Sequence, residues 1–282
     1  MERLTSPATI KKILGDHGIV LSKRWGQNFF ADGNILDKII GAVNITDNTQ
    51  ILEIGAGMGT LTYEAAKRAK MVTTVEIDTR LIPVLSYTLG EFNNVTVINE
   101  DFLKVDFTDL WSAELERVVL GNLPYYITTP IILKLLGKEF DAERMMFTLQ
   151  DEAVDKLVAI PGSDKYCAFS VLVQQKYTPI RIASIPNTAF LPRPEVSSAA
   201  VLLTKRNDAC VMDKGWTTFI HALFSQRRKK LLNVLSSLPV CNGISKADVS
   251  CILNELDIDG EKRCEVFSAD ELASLYLRLT KK

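Results

Sequence analysis

The chain has 282 residues, of which 47% are hydrophobic, and this is enough to bury the core of one large domain or of one domain with a small appendage. The formal net charge of −1 gives no sign of a nucleic-acid binder. The charge is uneven, however: residues 1–30 and 205–282 each carry a net +3, whereas residues 31–204 carry −7. Positive surface at the two ends would suit a phosphate backbone, and ordinary scatter of surface charge is the alternative.

The cysteines and the apolar runs argue against a disulfide framework, a zinc site and a membrane span. The number of cysteines is odd and none forms a CxxC motif or a cluster with histidine; they are Cys167, Cys210, Cys241, Cys251 and Cys264. Residues 1–14 lack the apolar run of a signal peptide, and no segment approaches the ~20 apolar residues of a membrane span. We therefore expect a cytoplasmic protein with free thiols, no metal and no membrane contact.

Strands and helices alternate from residue 50 onward, which is typical of βαβ units and a mostly parallel sheet. Apolar and β-branched runs predict strands at Gln50–Ile54, Met71–Ile77, Val95–Asn99, Val118–Gly121, Met145–Leu149, Ser170–Gln174 and Ala199–Leu203. Helices are predicted at Gly59–Ala69, at Thr79–Leu89, near Pro130–Leu136 and, after Lys205, at Phe219–Leu235, Lys246–Leu256 and Ala269–Leu279. The expected organisation is an N-terminal helical leader (1–45), an α/β catalytic domain (46–205) and a small helical domain (206–282).

A glycine-rich loop follows the first predicted strand and opens a helix. Its sequence is Glu53-Ile54-Gly55-Ala56-Gly57-Met58-Gly59-Thr60, and glycines there let the backbone turn tightly and approach a ligand. The third glycine comes one position earlier than in the dinucleotide-binding fingerprint. The spacing instead resembles that of Rossmann-like methyltransferases, so Gly55 and Gly57 are candidates to bind S-adenosyl-L-methionine. A purely structural turn is the alternative.

Acidic residues follow the next two predicted strands. Glu76 comes about twenty residues after the glycine loop, where a carboxylate hydrogen-bonds ribose hydroxyls in this type of fold. Asp78 is the competing candidate, but Glu76 directly follows the apolar run and should lie at the carboxyl end of the strand. Asp101 follows the third strand and is predicted to accept a hydrogen bond from the adenine amine of the cofactor.

The motif Asn122-Leu123-Pro124-Tyr125-Tyr126 follows the fourth predicted strand. An amine conjugated to an aromatic ring is a poor nucleophile, because its lone pair is delocalised. The side-chain oxygen of Asn122 and the carbonyl of Leu123 would accept its two N–H groups and aim the nitrogen at the methyl donor. Tyr125 would stack on an extruded base. A structural Asn-Pro turn is again the alternative.

Motifs along most of the chain resemble those of the ribosomal RNA adenine dimethyltransferase family, which dimethylates the N6 amines of two adjacent adenines near the 3′ end of 16S rRNA in immature small subunits. Besides the glycine loop and Asn122–Ile127, they are Lys23–Phe30, Leu149–Gln150, Phe169–Gln174, Pro192–Val196 and Phe224–Asn233. The resemblance implies a class I methyltransferase fold with a seven-stranded sheet, and it adds Asn28 and the carbonyl of Phe30 to the cofactor site. Trp25 departs from the family pattern, which usually has a small aliphatic residue there.

Two further features are candidates for contact with RNA. Arg227-Arg228-Lys229-Lys230 is the densest basic run; alone it reads as a solvated helix face, and the family resemblance favours RNA contact. Phe190 precedes a Pro-Arg-Pro turn, where an aromatic ring would either cover the target base or pack in the core. The expected partner is 16S rRNA within the immature small subunit, and the expected oligomeric state is a monomer.

Three rival functions are distinguishable in the sequence. Large-subunit rRNA methyltransferases of the macrolide-resistance type resemble this chain, but Leu123 replaces their usual isoleucine. A non-catalytic RNA-binding assembly factor would not need the intact Asn122 and Tyr125. A small-molecule methyltransferase or an NAD enzyme fits the glycine spacing and the basic ends least well.

Overall fold

The computed structural model describes residues 3–20, 27–137, 139–209 and 212–280. Residues Lys23–Gly26 of the family motif, with Trp25, lie outside the described residues, and so does Cys210.

Helices and strands alternate as far as Lys205, and the chain after Lys205 is helical. The helices are α1 (Pro7–Asp16), α2 (Gly33–Val43), α3 (Thr60–Ala66), α4 (Ile82–Leu89), α5 (Thr128–Leu135), α6 (Asp151–Val158), α7 (Ala168–Gln174), α8 (Lys214–Ser225), α9 (Leu231–Leu235), α10 (Lys246–Glu255) and α11 (Ala269–Thr280). The strands are β1 (Phe29–Phe30), β2 (Thr49–Ile54), β3 (Met71–Glu76), β4 (Val95–Asn99), β5 (Glu116–Asn122), β6 (Arg144–Gln150), β7 (Tyr177–Ile185), β8 (Phe190–Leu191) and β9 (Ser198–Lys205).

Seven of these strands form one sheet in the order β4-β3-β2-β5-β6-β9-β7. Strands β2 to β6 pair in parallel, and β9 runs antiparallel to β6. The mostly parallel, seven-stranded sheet that the resemblance implied is therefore confirmed, with β7 in place of the strand predicted at Ser170–Gln174. The chain leaves β2 toward β3 on one side and returns as β5 on the other, and a crevice forms at the carboxyl ends of the strands at such a switch point.

The core of the sheet is built on strands that are buried on both faces. Every residue of β2 is buried, as expected for a central parallel strand covered on both sides. Helix α2 begins after Asp32, whose carboxylate accepts hydrogen bonds from the amides of Asn34 and Ile35. It buries one face, Leu36, Ile39, Ile40 and Val43, in the same cluster as strand residues Ile51, Val118 and Met146.

The chain divides into two compact units that differ from the expected boundaries. The first comprises Met1–Val154 and Ile180–Lys205, and the second Asp155–Pro179 and Arg206–Lys282. The N-terminal leader is part of the first unit: β1 pairs antiparallel with β8, which places Phe29 opposite Leu191 and Phe30 opposite Phe190. Residues 155–179, assigned to the 46–205 domain from sequence, belong to the second unit.

The predicted strand at Ser170–Gln174 is wrong, because this segment is helix α7. The buried Ser170 hydroxyl accepts a hydrogen bond from the amide of Cys167 (3.0 Å) and donates to the carbonyl of Lys156 (2.5 Å). The side chain of Gln174 donates to the carbonyls of Leu157 and Ala159. These bonds dock α7 on the end of α6, and the short apolar run alone could not distinguish a buried helix from a strand.

The predicted helix Phe219–Leu235 is also wrong in its middle. Helix α8 ends at Ser225, α9 begins at Leu231, and a turn separates them. The amide of Leu231 donates to the carbonyl of Lys262 (2.8 Å), and that of Leu232 donates to Gly260 (3.0 Å). These amides cannot also bond the preceding helical turn, so the basic run lies in the turn and not around a helix.

Candidate active site

A cleft lies at the carboxyl edge of the sheet in the first unit. It is lined by the glycine loop, by residues that follow β3 and β4, by Asn122 with the start of α5, and by the leader segment Gln27–Phe30. Parallel strands place their carboxyl ends side by side, and this is why residues far apart in sequence meet here.

The glycine loop brings bare backbone to the cleft. Gly55 and Gly57 have φ values of 78° and 60°, in the left-handed region that favours glycine. A Cβ added to Gly57 would lie 3.1 Å from Cε1 of Phe29. Even alanine would therefore press on the leader, and the close approach of loop and leader depends on this glycine.

Glu76 ends β3 and holds the loop in place. Its Oε2 accepts a hydrogen bond from the amide of Gly57 and its Oε1 accepts one from the amide of Asp78, both at 2.8 Å. The side chain is 5% exposed and lines the cleft. Burial raises the pKa of Glu76, whereas the two amide hydrogen bonds lower it.

Asp78, the competing candidate, is engaged elsewhere. Its carboxylate accepts hydrogen bonds from the side chains of Arg80 and of Gln27, the latter at 2.8 Å. The Arg80 hydrogen bonds are the main reason that the pKa of Asp78 is lowered. Asp78 does not line the cleft, so of these two acids Glu76 is the one that faces it.

Asp101 lines the cleft just after β4, together with Phe102 and Leu103. Its Oδ1 accepts a hydrogen bond from the amide of Leu103 at 2.9 Å, which folds the loop back on itself. Asp101 and Glu76 therefore lie at the ends of neighbouring strands on the same side of the cleft.

Asn122 ends β5 and connects the catalytic motif with the leader. Its Nδ2 donates to the carbonyl of Asn28 at 2.7 Å, which leaves Oδ1 as an acceptor. Asn28 and Phe30 both line the cleft, and their contact with a cofactor stays a prediction. The Leu123 side chain is buried and its amide donates to Thr148, so its neighbours on either side, Asn122 and Pro124, form the lining.

The two tyrosines of the motif differ in their surroundings. The Tyr125 hydroxyl lies 2.7 Å from the hydroxyl of the buried Ser198, and burial raises the pKa of this half-buried tyrosine. Of the two, only Tyr126 lines the cleft, and it is 64% exposed. The stacking role that the sequence assigned to Tyr125 stays a prediction, and Tyr126 is a second aromatic candidate that it missed.

Phe190 is packed in the core and does not face the cleft. It is 2% exposed, and its ring centroid lies 5.1 Å from that of Phe30. Pairing between β1 and β8 buries both rings, so the packing alternative holds and the role of covering the target base does not fit this position.

The basic turn lies in the second unit and its four cations are not equivalent. Lys230 pairs with Glu261, and Lys229 donates to the side chain of Gln226 at 2.9 Å. Arg228 is exposed and Arg227 is half-buried. The two arginines are therefore the stronger candidates for contact with phosphate.

Glu53 and Thr60 also line the cleft, although the sequence assigned them no role. Glu53 is 1% exposed and accepts a hydrogen bond from Thr62, yet its Oε1 has no hydrogen-bonded partner among the described residues. The Thr60 hydroxyl is equally unpaired among them. Burial raises the pKa of Glu53 to about 8, against the smaller lowering effect of the hydrogen bond from the Thr62 hydroxyl.

Neither metal ligands nor a membrane-spanning helix occur in the described ranges. No group of three or more His, Cys, Asp or Glu side chains there is arranged to hold a metal ion. No described helix is both long enough and apolar enough to cross a bilayer. The cysteines that these ranges contain, Cys167, Cys241, Cys251 and Cys264, are free thiols.

Comparison with known proteins identifies the family. The family model "Ribosomal RNA adenine dimethylase" matches residues 20–279. The chain belongs to this family. Ribosomal RNA small subunit methyltransferase A of Bacillus pumilus strain SAFR-032 is 40% identical over 279 residues, with 96% of each chain covered. The predicted family and the enzyme class, an rRNA adenine dimethyltransferase, are confirmed.

Solved structures support the same assignment. A dimethyladenosine transferase from Plasmodium falciparum has a TM-score of 0.78 and 27% identity, with 90% of this chain and 98% of that chain covered. The 23S rRNA methyltransferase ErmE has a TM-score of 0.68 at 23% identity, with 90% and 100% covered, and supports the fold alone. The predicted Rossmann-like class I methyltransferase fold is confirmed.

The buried Glu53 should make the stability of the dimethylase fold depend on pH. Its pKa is raised from 4.5 to about 8 on folding. Between these two pH values the folded protein keeps a proton on Glu53 that the unfolded chain has already released. The free energy of unfolding should therefore fall as pH rises from about 4.5 to 8, by an amount on the order of a few kcal/mol. In Glu53→Gln this loss should be much smaller, and what remains should come from Glu76, whose pKa burial also raises.

Urea unfolding of the cofactor-free protein at pH 5, 6.5 and 8 (values chosen to span roughly the two pKa values) measures the effect. Glu114→Gln, at an exposed acid of the same unit, is the matched control and should follow the wild-type profile. Parallel profiles for wild type and Glu53→Gln would show that Glu53 is ionised in the folded protein.

Proposed function

We propose that the chain transfers methyl groups from S-adenosyl-L-methionine to the N6 amines of two adjacent adenines near the 3′ end of 16S rRNA, in the immature small subunit. The observation that carries the proposal is the position of Asn122, whose amide is fixed at a cleft that also holds the glycine loop and Glu76. The relatives of the same length are named for small-subunit rRNA methylation. A monomer acting in the cytoplasm stays a prediction.

The residues of the cleft fit the proposed cofactor. Gly55 and Gly57 present backbone without side chains, and the Glu76 carboxylate is placed to accept from ribose hydroxyls. Asp101 would accept a hydrogen bond from the adenine amine of the cofactor. Asn28 and the carbonyl of Phe30 would contact the cofactor from the leader segment. The unpaired oxygens of Glu53 and Thr60 give the cleft polar atoms that await a ligand. When bound, the cofactor supplies a sulfonium-activated methyl group and a neutral leaving group.

Asn122 would orient the adenine amine. Because Nδ2 donates to the carbonyl of Asn28, the amide cannot rotate freely, and Oδ1 is held ready to accept an N–H. With the Leu123 carbonyl as second acceptor, the nitrogen lone pair is turned out of conjugation with the ring. These acceptors also stabilise the positive charge that the nitrogen gains, so no nucleophilic side chain or strong base is needed.

The motif tyrosines would hold the extruded base. The bond between Tyr125 and Ser198 fixes the ring of Tyr125, and a fixed ring is a good stacking surface. Tyr126 adds an exposed aromatic ring at the cleft. We propose Tyr125 as the primary stacking residue.

The small-subunit substrate has more support than the large-subunit alternative. Identity of 40% over nearly the whole chain links this protein with enzymes named for the small subunit, whereas similarity to the 23S enzyme is confined to the fold. Methylation of immature small subunits with labelled cofactor, followed by mapping of the modified bases, tests the proposal. Two dimethylated adjacent adenines in 16S rRNA are expected; methylation of 23S rRNA alone would contradict it.

Asn122→Ala should nearly abolish methyl transfer without unfolding the protein. Loss of one preorganised polar group in an active site costs on the order of 100- to 1000-fold in rate. The lost hydrogen bond to Asn28 should cost only about 1 kcal/mol of stability. Turnover on small subunits and thermal unfolding, measured on the same preparation, provide the check.

The stacking role of Tyr125 is tested with Tyr125→Ala, and Tyr125→Phe is its matched control, because phenylalanine keeps the ring and removes only the bond to Ser198. It should retain more activity than Tyr125→Ala. An Asn122→Ala variant with wild-type turnover would rule out the proposed role of Asn122.

The basic turn would contact the phosphate backbone through Arg227 and Arg228. Replacing both by alanine should weaken subunit binding and reduce the slope of log K against log salt concentration by about 1–2, because fewer counterions are released. Cofactor affinity should not change. Lys230→Gln, at a cation already paired with Glu261, is the control and should change the slope less. An unchanged slope in the double variant would show that the basic turn is solvated surface and does not contact RNA.

A further inference from the structure

Lys134 lies on α5, outside the cleft lining, and its ammonium group is fully engaged by one loop. Nζ donates to the carbonyls of Phe102 (2.9 Å), Leu103 (3.0 Å) and Val105 (3.0 Å). An ammonium group has three donors, so the three carbonyls use all of them. Lys134 is half-buried, and all its N–H groups donate to backbone carbonyls. These hydrogen bonds fix the backbone of the loop.

The loop that Lys134 holds carries Asp101. From inside the loop, Asp101 accepts the amide of Leu103 through Oδ1 and the amide of Lys104 through its carbonyl, at 2.9 and 2.8 Å. Lys134, which belongs to a different element, donates hydrogen bonds to carbonyls of the same loop. The loop therefore has hydrogen bonds on both sides, and only the outer set depends on a residue from another element.

Aromatic rings complete the surroundings of the ammonium group. Nζ lies 5.1 Å from the ring centroid of Phe102 and 5.3 Å from that of Phe107. These two rings pack on each other and on Phe140, with centroid separations of 5.3 to 5.9 Å. Phe102 also lines the cleft, so the cation and the cleft lie against the same side chain.

Lys134 thus connects two walls of the cleft. One wall is the loop with Asp101, Phe102 and Leu103; the other is Asn122 with the start of α5, including Ile131, one helical turn before Lys134. We propose that Lys134 is a positioning residue that sets the cofactor-binding geometry of the Asp101 loop relative to the catalytic motif. This inference rests on the proposed cofactor site.

Lysine suits this position better than the alternatives. Three carbonyls converge on one point, which matches the compact ammonium group; the planar fork of arginine spreads its donors instead. Methionine matches the length of the side chain but leaves all three carbonyls without their donor. A disordered Asp101 loop would weaken the binding of substrate and transition state equally, so the Michaelis constant should change and the turnover number should not.

Calorimetry with S-adenosylhomocysteine on the full chain tests the inference. Lys134→Met should raise the Kd by about tenfold, through loss of hydrogen bonds that order the site. The KM for the cofactor should rise in parallel, while kcat at saturation changes by less than about twofold. Amide hydrogen exchange of residues 103–105 should become faster without ligand. Lys104→Met, at an exposed lysine of the same loop, is the control and should leave all of these quantities unchanged.

A Kd for Lys134→Met within about twofold of the wild-type value would overturn the inference and leave the proposed function intact. If Lys134→Met fails to fold, Lys134→Arg decides: a Kd raised by about threefold or more supports the inference, and an unchanged Kd overturns it. Wild-type protein that does not bind S-adenosylhomocysteine would instead contradict the proposed function.

Discussion

The cleft at the carboxyl edge of the sheet depends on one buried carboxylate. Glu76 accepts the amides of Gly57 and Asp78 and thereby ties the loop after β2 to the end of β3. Because Gly57 is held there in a left-handed conformation, Phe29 can pack directly against it. The adjoining Asn28 then offers its carbonyl to Asn122. Two hydrogen bonds to a carboxylate thus order the glycine loop, then the leader, and then the side-chain amide of Asn122.

The cleft holds these acids at a cost in folding stability. Burial raises the pKa of both Glu53 and Glu76, and the charge of Glu76 raises that of Glu53 further. Unpaired polar atoms remain at Glu53 and Thr60 among the described residues. Such groups cluster at functional sites, where a ligand satisfies what the folded chain does not. Unpaired polar atoms at the cleft suit a polar ligand, in keeping with the proposed function.

The features that were predicted from sequence depend on local pattern, and those that were missed depend on distant partners. Glycine spacing and an acid directly after an apolar strand are local, so the sequence alone predicted that Glu76 lies at the carboxyl end of its strand. The strand predicted at Ser170–Gln174 became a helix because its polar side chains bond to the end of α6. The helix predicted at Phe219–Leu235 is interrupted at the basic turn, because amides there donate to carbonyls about thirty residues away. Phe190 is buried because β8 pairs with the leader strand β1. Lys134 could not be found from sequence, because its three acceptors are backbone atoms of a separate loop.

Titration of wild-type and Glu76→Gln protein with S-adenosylhomocysteine tests the central role of this carboxylate most directly. The single side-chain oxygen of glutamine can replace only one of the two carboxylate oxygens that accept backbone N–H groups. It is also a weaker hydrogen-bond acceptor for ribose hydroxyls, because it carries no charge. The Kd should rise by about tenfold to a hundredfold, while Asp78→Asn, beside it but outside the cleft lining, should change the Kd much less. Equal affinity of Glu76→Gln and wild type would contradict the account, because the loop and the ligand would then not depend on Glu76.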